Sequence, residues 1–136
     1  MFIVKCILGL GLLGILYIAF NIIFPPIEFD GWSMYPTYKD KEVVRGMRLF
    51  NKKNFKLGYV YVFTRERDGE TYHVIKRLTK MKLTEQGLKL FFEGDNSLGS
   101  VDSRHYGYVD SSRVVARVIK PKEKMEDESN EEIKCS

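Results

Sequence analysis

The sequence predicts a mainly β domain carried behind a single N-terminal transmembrane helix, and three observations predict it. Residues Cys6 to Phe24 form an uncharged apolar run. Beyond Pro25-Pro26, short stretches of β-branched and aromatic residues alternate with turn signals. No stretch after the prolines sustains a helical apolar period. On this reading the 136 residues divide into an anchor (1–26), a β domain (27–120) and a charged tail (121–136) that is expected to be disordered.

The elements follow in order. At about 1.5 Å per residue the apolar run is long enough, with flanking help, to cross a hydrocarbon layer of about 30 Å. Its glycines would weaken a soluble helix but are tolerated in lipid. Pro25-Pro26 ends it, because neither proline has an N–H to continue the helix. No A-x-A-like site follows the run, so an uncleaved anchor is expected rather than a removable leader. Ile27 to Phe29, Glu42 to Arg45 and Gly58 to Thr64 read as strands. Asp68-Gly69 marks a hairpin turn, with Thr71 to Leu78 as the returning strand. Leu88 to Glu93, entered from a turn at Gln86-Gly87, then Val109 and Val114 to Ile119 complete the set.

Charge is unevenly placed. Residues 25–120 carry 18 basic and 12 acidic side chains, whereas the tail carries 3 basic and 6 acidic. The surplus is densest from Lys39 to Lys56, beside the anchor, where it suits a solvated basic surface or anionic lipid headgroups. Nucleic acid is a competing partner for such a run but is not expected here. Counted by charge alone, the basic side of the helix would stay in the cytoplasm, yet long domains translocate regardless of charge, so this leaves orientation open. Cys6 lies in the apolar run and Cys135 is next to last, so no disulfide is expected. Two histidines, His73 and His105, give no metal site, and no cofactor is implied.

Three segments carry candidate chemistry: Gly31-Trp32-Ser33-Met34-Tyr35-Pro36-Thr37; Ile75-Lys76-Arg77 on a β-prone stretch; and the loop from Gly94-Asp95-Asn96 through Ser100, Asp102 and Arg104 to Gly107. Taken singly, Ser33 reads as a turn residue and Lys76 as the exposed face of an edge strand. Together they suit a Ser–Lys pair. A serine hydroxyl is a weak nucleophile until a base within hydrogen-bond reach removes its proton. A lysine is that base only when neutral, so its reference pKa of ~10.4 must fall toward ~7–8, at a cost of about 4 kcal/mol of lost ammonium stabilisation. Val74 and Lys76 share one face of a pleated strand, with Ile75 on the other. No acid adjoins Lys76 in sequence to undo such a shift.

In residue identity, order and spacing these three boxes resemble the bacterial type I signal peptidases, in the lysine-bearing, prokaryotic form. The resemblance runs from the anchor to about Lys120. It implies a signal-peptidase-like β domain and a membrane-anchored serine endopeptidase that cuts preproteins after small residues at −1 and −3. It implies Ser33 as nucleophile, its own backbone N–H as oxyanion donor, Lys76 as general base and Ser100 as the hydroxyl that orients Lys76. Asp102 and Arg104 match a structural ion pair, Met34 a residue lining the substrate cleft, and Pro36 and Thr37 the turn after the nucleophile. Asp95 and Asn96 belong to the framework near the site. Preproteins and membrane lipid are the implied partners, and a single-pass location with the catalytic domain on the extracytoplasmic side follows; nothing bears on oligomeric state.

The departures are specific. Some relatives place a hydroxyl two residues before the nucleophile, where this chain has Gly31. The accessory subdomain that follows the K-R pair in larger members is missing. Trp32 precedes the nucleophile, either packed in the core or dipping toward headgroups. A peptidase dedicated to one precursor, such as a pilin or secreted peptide, and an inactive preprotein-binding module are the alternatives. A self-cleaving repressor-type protein, which has no anchor and needs an internal cleavage loop, fits poorly.

Overall fold

The computed structural model describes residues 1–119 and 121–125. A single long helix, α1 (Phe2–Ile23), leads the chain. At about 1.5 Å per residue its 22 residues span some 33 Å, enough to cross a membrane by length and composition. Seven strands follow: β1 (Pro26–Glu28), β2 (Val43–Met47), β3 (Val60–Arg67), β4 (Glu70–Thr84), β5 (Gly87–Glu93), β6 (Val109–Asp110) and β7 (Val114–Val118). They form one antiparallel sheet in the order β1-β2-β7-β3-β4-β5-β6. A one-turn helix, α2 (Ser103–Tyr106), and a 3-10 turn (Ser111–Arg113) are the only other helical elements among the described residues. "Mainly β" thus describes the part of the chain after α1.

The hydrophobic pattern explains why β3 is central. Val60-Tyr61-Val62-Phe63 is an unbroken apolar run, as expected of a strand covered on both faces. Val60 and Val62 enter one core with Ile27, Phe29, Met34 and Ala116. Tyr61 and Phe63 enter a second with Phe55, Leu78, Leu90 and Phe92. Each such side chain contributes roughly 1.5–3 kcal/mol on burial. Phe63 stacks on Phe92 with ring centroids 4.4 Å apart, and Phe29 on Tyr38 at 4.1 Å. Val74 and Ile75 divide between the two cores as strand alternation requires.

Three expectations are revised. The strand expected over Thr71 to Leu78 runs on to Thr84, with a register shift between Leu78 and Lys80. Its outer arm was hard to read because Met81 and Leu83 are exposed rather than buried. It is held instead by its ladder to β5 and by Lys80 and Lys82 lying over the Phe91 and Tyr108 rings. The start of the tail, expected to be disordered, is tied to the domain. The Lys122 N–H donates to the Tyr38 hydroxyl at 2.8 Å, the Met125 N–H to Thr37 Oγ1 at 3.0 Å, and Lys122 Nζ pairs with Glu42. The rest of the tail, residues 126–136, lies outside the described residues. The proposed boundary at 26/27 also moves, since Pro26 opens β1.

Candidate active site

The segment from Gly31 to Tyr38 leaves β1 and folds back against the sheet. Two constraints set its shape. Gly31 has φ +85°, a left-handed conformation that strains any residue with a side chain, and its N–H donates to Asp40 Oδ1 at 2.7 Å. Glycine is therefore the residue that this backbone favours at position 31. Buried Met34, Thr37 and Tyr38 then root the turn in the core, with a cis Tyr35–Pro36 bond between them. Trp32 stays exposed, edge-on to Tyr35, rather than joining the core.

Lys76 reaches this turn from β4. Its Nζ lies 2.7 Å from Ser33 Oγ and donates to the Ile75 carbonyl at 3.2 Å. The side chain is only 6% exposed. Burial lowers its pKa from the ordinary 10.5 to about 8, against the opposing pull of the Asp102 and Asp95 carboxylates. A buried amine of reduced basicity thus sits within hydrogen-bond reach of a serine hydroxyl, although the two residues are 43 positions apart.

The third box supplies the frame. Asp102 is fully buried, accepts from the Gly94 N–H at 2.7 Å and from Arg104 through two side-chain bonds of 2.9 and 2.6 Å, and caps α2. Burial alone would raise its carboxyl, but Arg104 and the Gly94 N–H outweigh that and hold it well below the usual carboxylate range. The ion pair expected of Asp102 and Arg104 is therefore in place. Asn96 ties the loop to the nucleophile turn, its N–H donating to the Ser33 carbonyl at 3.1 Å and its Nδ2 to the Trp32 carbonyl at 3.0 Å.

Ser100 differs from its expected role. It is buried beside the site, but its hydroxyl makes no hydrogen bond to Lys76; it lies against the Asp102 carboxylate, which it helps to keep ionised, without a well-formed bond to it. In this arrangement the Ile75 carbonyl, not Ser100, holds the amine. Three residues named in the sequence were given no part in building the site. Arg77 forms a buried two-pronged pair with Asp95, at 2.8 and 2.7 Å, and donates to the Gly58 carbonyl, so the residue after the lysine locks β4 to the third box. Gly94 is the second, because a Cβ there would overlap the Ser100 side chain and the Ser33 carbonyl. His105 is the third: expected in a loop, it lies on α2, where its Nδ1 accepts from the Asp102 N–H. An acid-containing glycine loop and a K-R dipeptide were visible signals for the first two.

Ser33 and Lys76 open onto a cleft of about 770 Å³ with Ile27, Met34, Val62, Ile75 and Ala116 among its apolar lining. Along it, residues 70–76 of β4 pair with β3 on one side only, since the ladder to β5 begins at Arg77. Among the described residues no cluster of His, Cys, Asp and Glu has the makings of a metal site. No protein-family model matches this chain, and no curated protein matches it either.

Proposed function

We propose that the chain is a membrane-anchored serine endopeptidase of the type I signal peptidase kind, which removes signal peptides from preproteins by a Ser–Lys mechanism. The observation that carries this reading is the 2.7 Å approach of buried Lys76 Nζ to Ser33 Oγ. Neutral Lys76 takes the Ser33 proton as Oγ attacks the scissile carbonyl. The resulting ammonium then gives that proton to the leaving amine, and an ester on Ser33 remains. Lys76 next activates a water that hydrolyses the ester. By the resemblance, the Ser33 backbone N–H donates to the developing oxyanion, and Gly31 adds no side-chain donor to it.

The surroundings support a peptide substrate. An extended peptide can add to the unpaired edge of β4 beside Ser33 through main-chain hydrogen bonds, with alternate side chains facing the apolar floor. Small residues at −1 and −3 are what the resemblance to the type I signal peptidases implies, a larger side chain in narrow subsites clashing rather than merely binding less well. Helix α1 serves as a single-pass anchor, and the catalytic domain lies on the extracytoplasmic side, where preproteins present their cleavage sites.

The test is cleavage of a preprotein with an A-x-A site in detergent or liposomes. Wild type is expected to cut after that site, while Ser33→Ala and Lys76→Ala lose activity and stay folded. If wild type and both variants are equally inert across several preproteins, while bound precursor co-purifies, the chain is a preprotein-binding module instead.

A further inference from the structure

The end of α1 is gripped by β2. Arg45 Nη1 donates to the Phe24 carbonyl at 3.0 Å and to Asn21 Oδ1 at 3.1 Å, the Gly46 N–H donates to the Pro25 carbonyl at 2.9 Å, and the Arg48 N–H donates to the Ile23 carbonyl at 3.0 Å. Asn21, the one strongly polar residue of the apolar run, thus has a partner in the domain. These bonds engage carbonyls that the helix terminus leaves without partners of its own. They also fix where the following residues lie. Arg48 is bonded to the last residue of the apolar helix, so the loop that starts there sits where α1 leaves the hydrocarbon.

That loop, residues 48–57, has two sides. Inward, Phe50 and Phe55 pack against Tyr61, and the Lys56 N–H donates to the Tyr61 hydroxyl. A tight turn at Asn51, which accepts from Lys53 and Asn54, holds the tip in shape. Outward, Lys52, Lys53 and Lys56 are exposed, and none forms an ion pair among the described residues; Arg48, also exposed, borders the cleft. Between and beside them Leu49 is 69% and Leu57 54% exposed. The nearest acids in sequence are engaged elsewhere, Asp40 with Gly31 and Glu42 with Lys122.

We infer that the loop 48–57 is a docking surface for anionic lipid headgroups, its cations pairing with phosphates while Leu49 and Leu57 enter the interface. The inference rests on reading α1 as a membrane span. Free cations flanking exposed leucines, at the mouth of a membrane helix and on a braced loop, match a layer that is anionic outside and apolar beneath. A protein partner would not explain why the patch is bonded to the helix exit. The consequence is a domain held at one height and tilt by two attachments, the Arg45 grip and the loop.

The experiment is amide hydrogen exchange on the full chain in lipid nanodiscs, of phosphatidylcholine alone or with phosphatidylglycerol added. Retention in phosphatidylcholine discs after an alkaline carbonate wash tests the span by itself, and loss from the discs overturns both the span and the docking surface. With the span intact, exchange over 48–57 is expected to slow about tenfold or more on adding phosphatidylglycerol. The triple variant Lys52→Gln, Lys53→Gln, Lys56→Gln is expected to lose that slowing while the strands keep their protection. Equal exchange in the two discs overturns the inference. So does protection that is the same in both lipids and vanishes when residues 126–136 are removed, since the acidic tail would then be the occupant.

Discussion

Lys76 concentrates the physical cost of the proposed chemistry in one side chain. Its pKa in the fold, about 8, is below the ordinary 10.5. The unfolded chain therefore binds more protons between those values, and stability rises with pH across that window. Below pH 8 the buried ammonium destabilises the fold in full, by roughly 3 kcal/mol. Lys76→Met is accordingly expected to be inactive yet more stable at neutral pH, by about 1–3 kcal/mol, with the gain fading toward pH 10.5. Denaturant midpoints of the detergent-solubilised protein across that pH range measure it. The same group sets the activity profile, because only the neutral amine accepts the serine proton. On the proposed reading, kcat/KM rises with pH and levels off above about 8. A profile flat from mildly acidic to alkaline pH would exclude Lys76 as the base.

At the scale of elements, the site depends on one close approach. The nucleophile turn and the third-box loop meet at Gly94, where the Ser33 carbonyl and Ser100 occupy the space of a side chain. Gly94→Ala must push these apart. A displacement of about 1 Å from productive geometry costs on the order of 10²-fold in rate. The variant is therefore expected to remain folded by circular dichroism and to lose cleavage by about that factor. Wild-type activity in Gly94→Ala would show that the contact is dispensable. The Arg77–Asp95 pair explains why β4 holds its lysine so firmly, since both partners are buried and each needs the other to offset its desolvation.

At the scale of the molecule, the exit of α1 and residues 121–125 are both fastened to the body that carries the site. The Arg45 grip fastens α1, and residues 121–125 lie across the turn after the nucleophile. Ending the chain at Lys120 removes two hydrogen bonds to Thr37 and Tyr38 and the Lys122–Glu42 pair. At about 1 kcal/mol for each hydrogen bond, the truncated chain is expected to melt some 5–10 °C lower. A thermal scan of both forms checks this. An unchanged midpoint would mean that the strap adds nothing to the fold.

The sequence by itself determined the elements whose signal is local. The apolar helix, the two prolines at its end, the Asp68-Gly69 hairpin and the central strand are each written in consecutive residues. So are the three boxes, whose resemblance to those of the type I signal peptidases is what nominates Ser33, Lys76, Asp102 and Arg104. What spacing along the chain does not carry is distance in space or depth of burial. Only the tertiary structure decided that Lys76 is buried against Ser33 and held by the Ile75 carbonyl rather than by Ser100. It also decided that glycine is favoured at position 31 by its φ, that Arg77 finds Asp95, that β4 continues to Thr84 and that the first residues of the tail are strapped down. Each of these depends on partners far away in sequence, brought within contact distance by the packing of two cores on either side of β3.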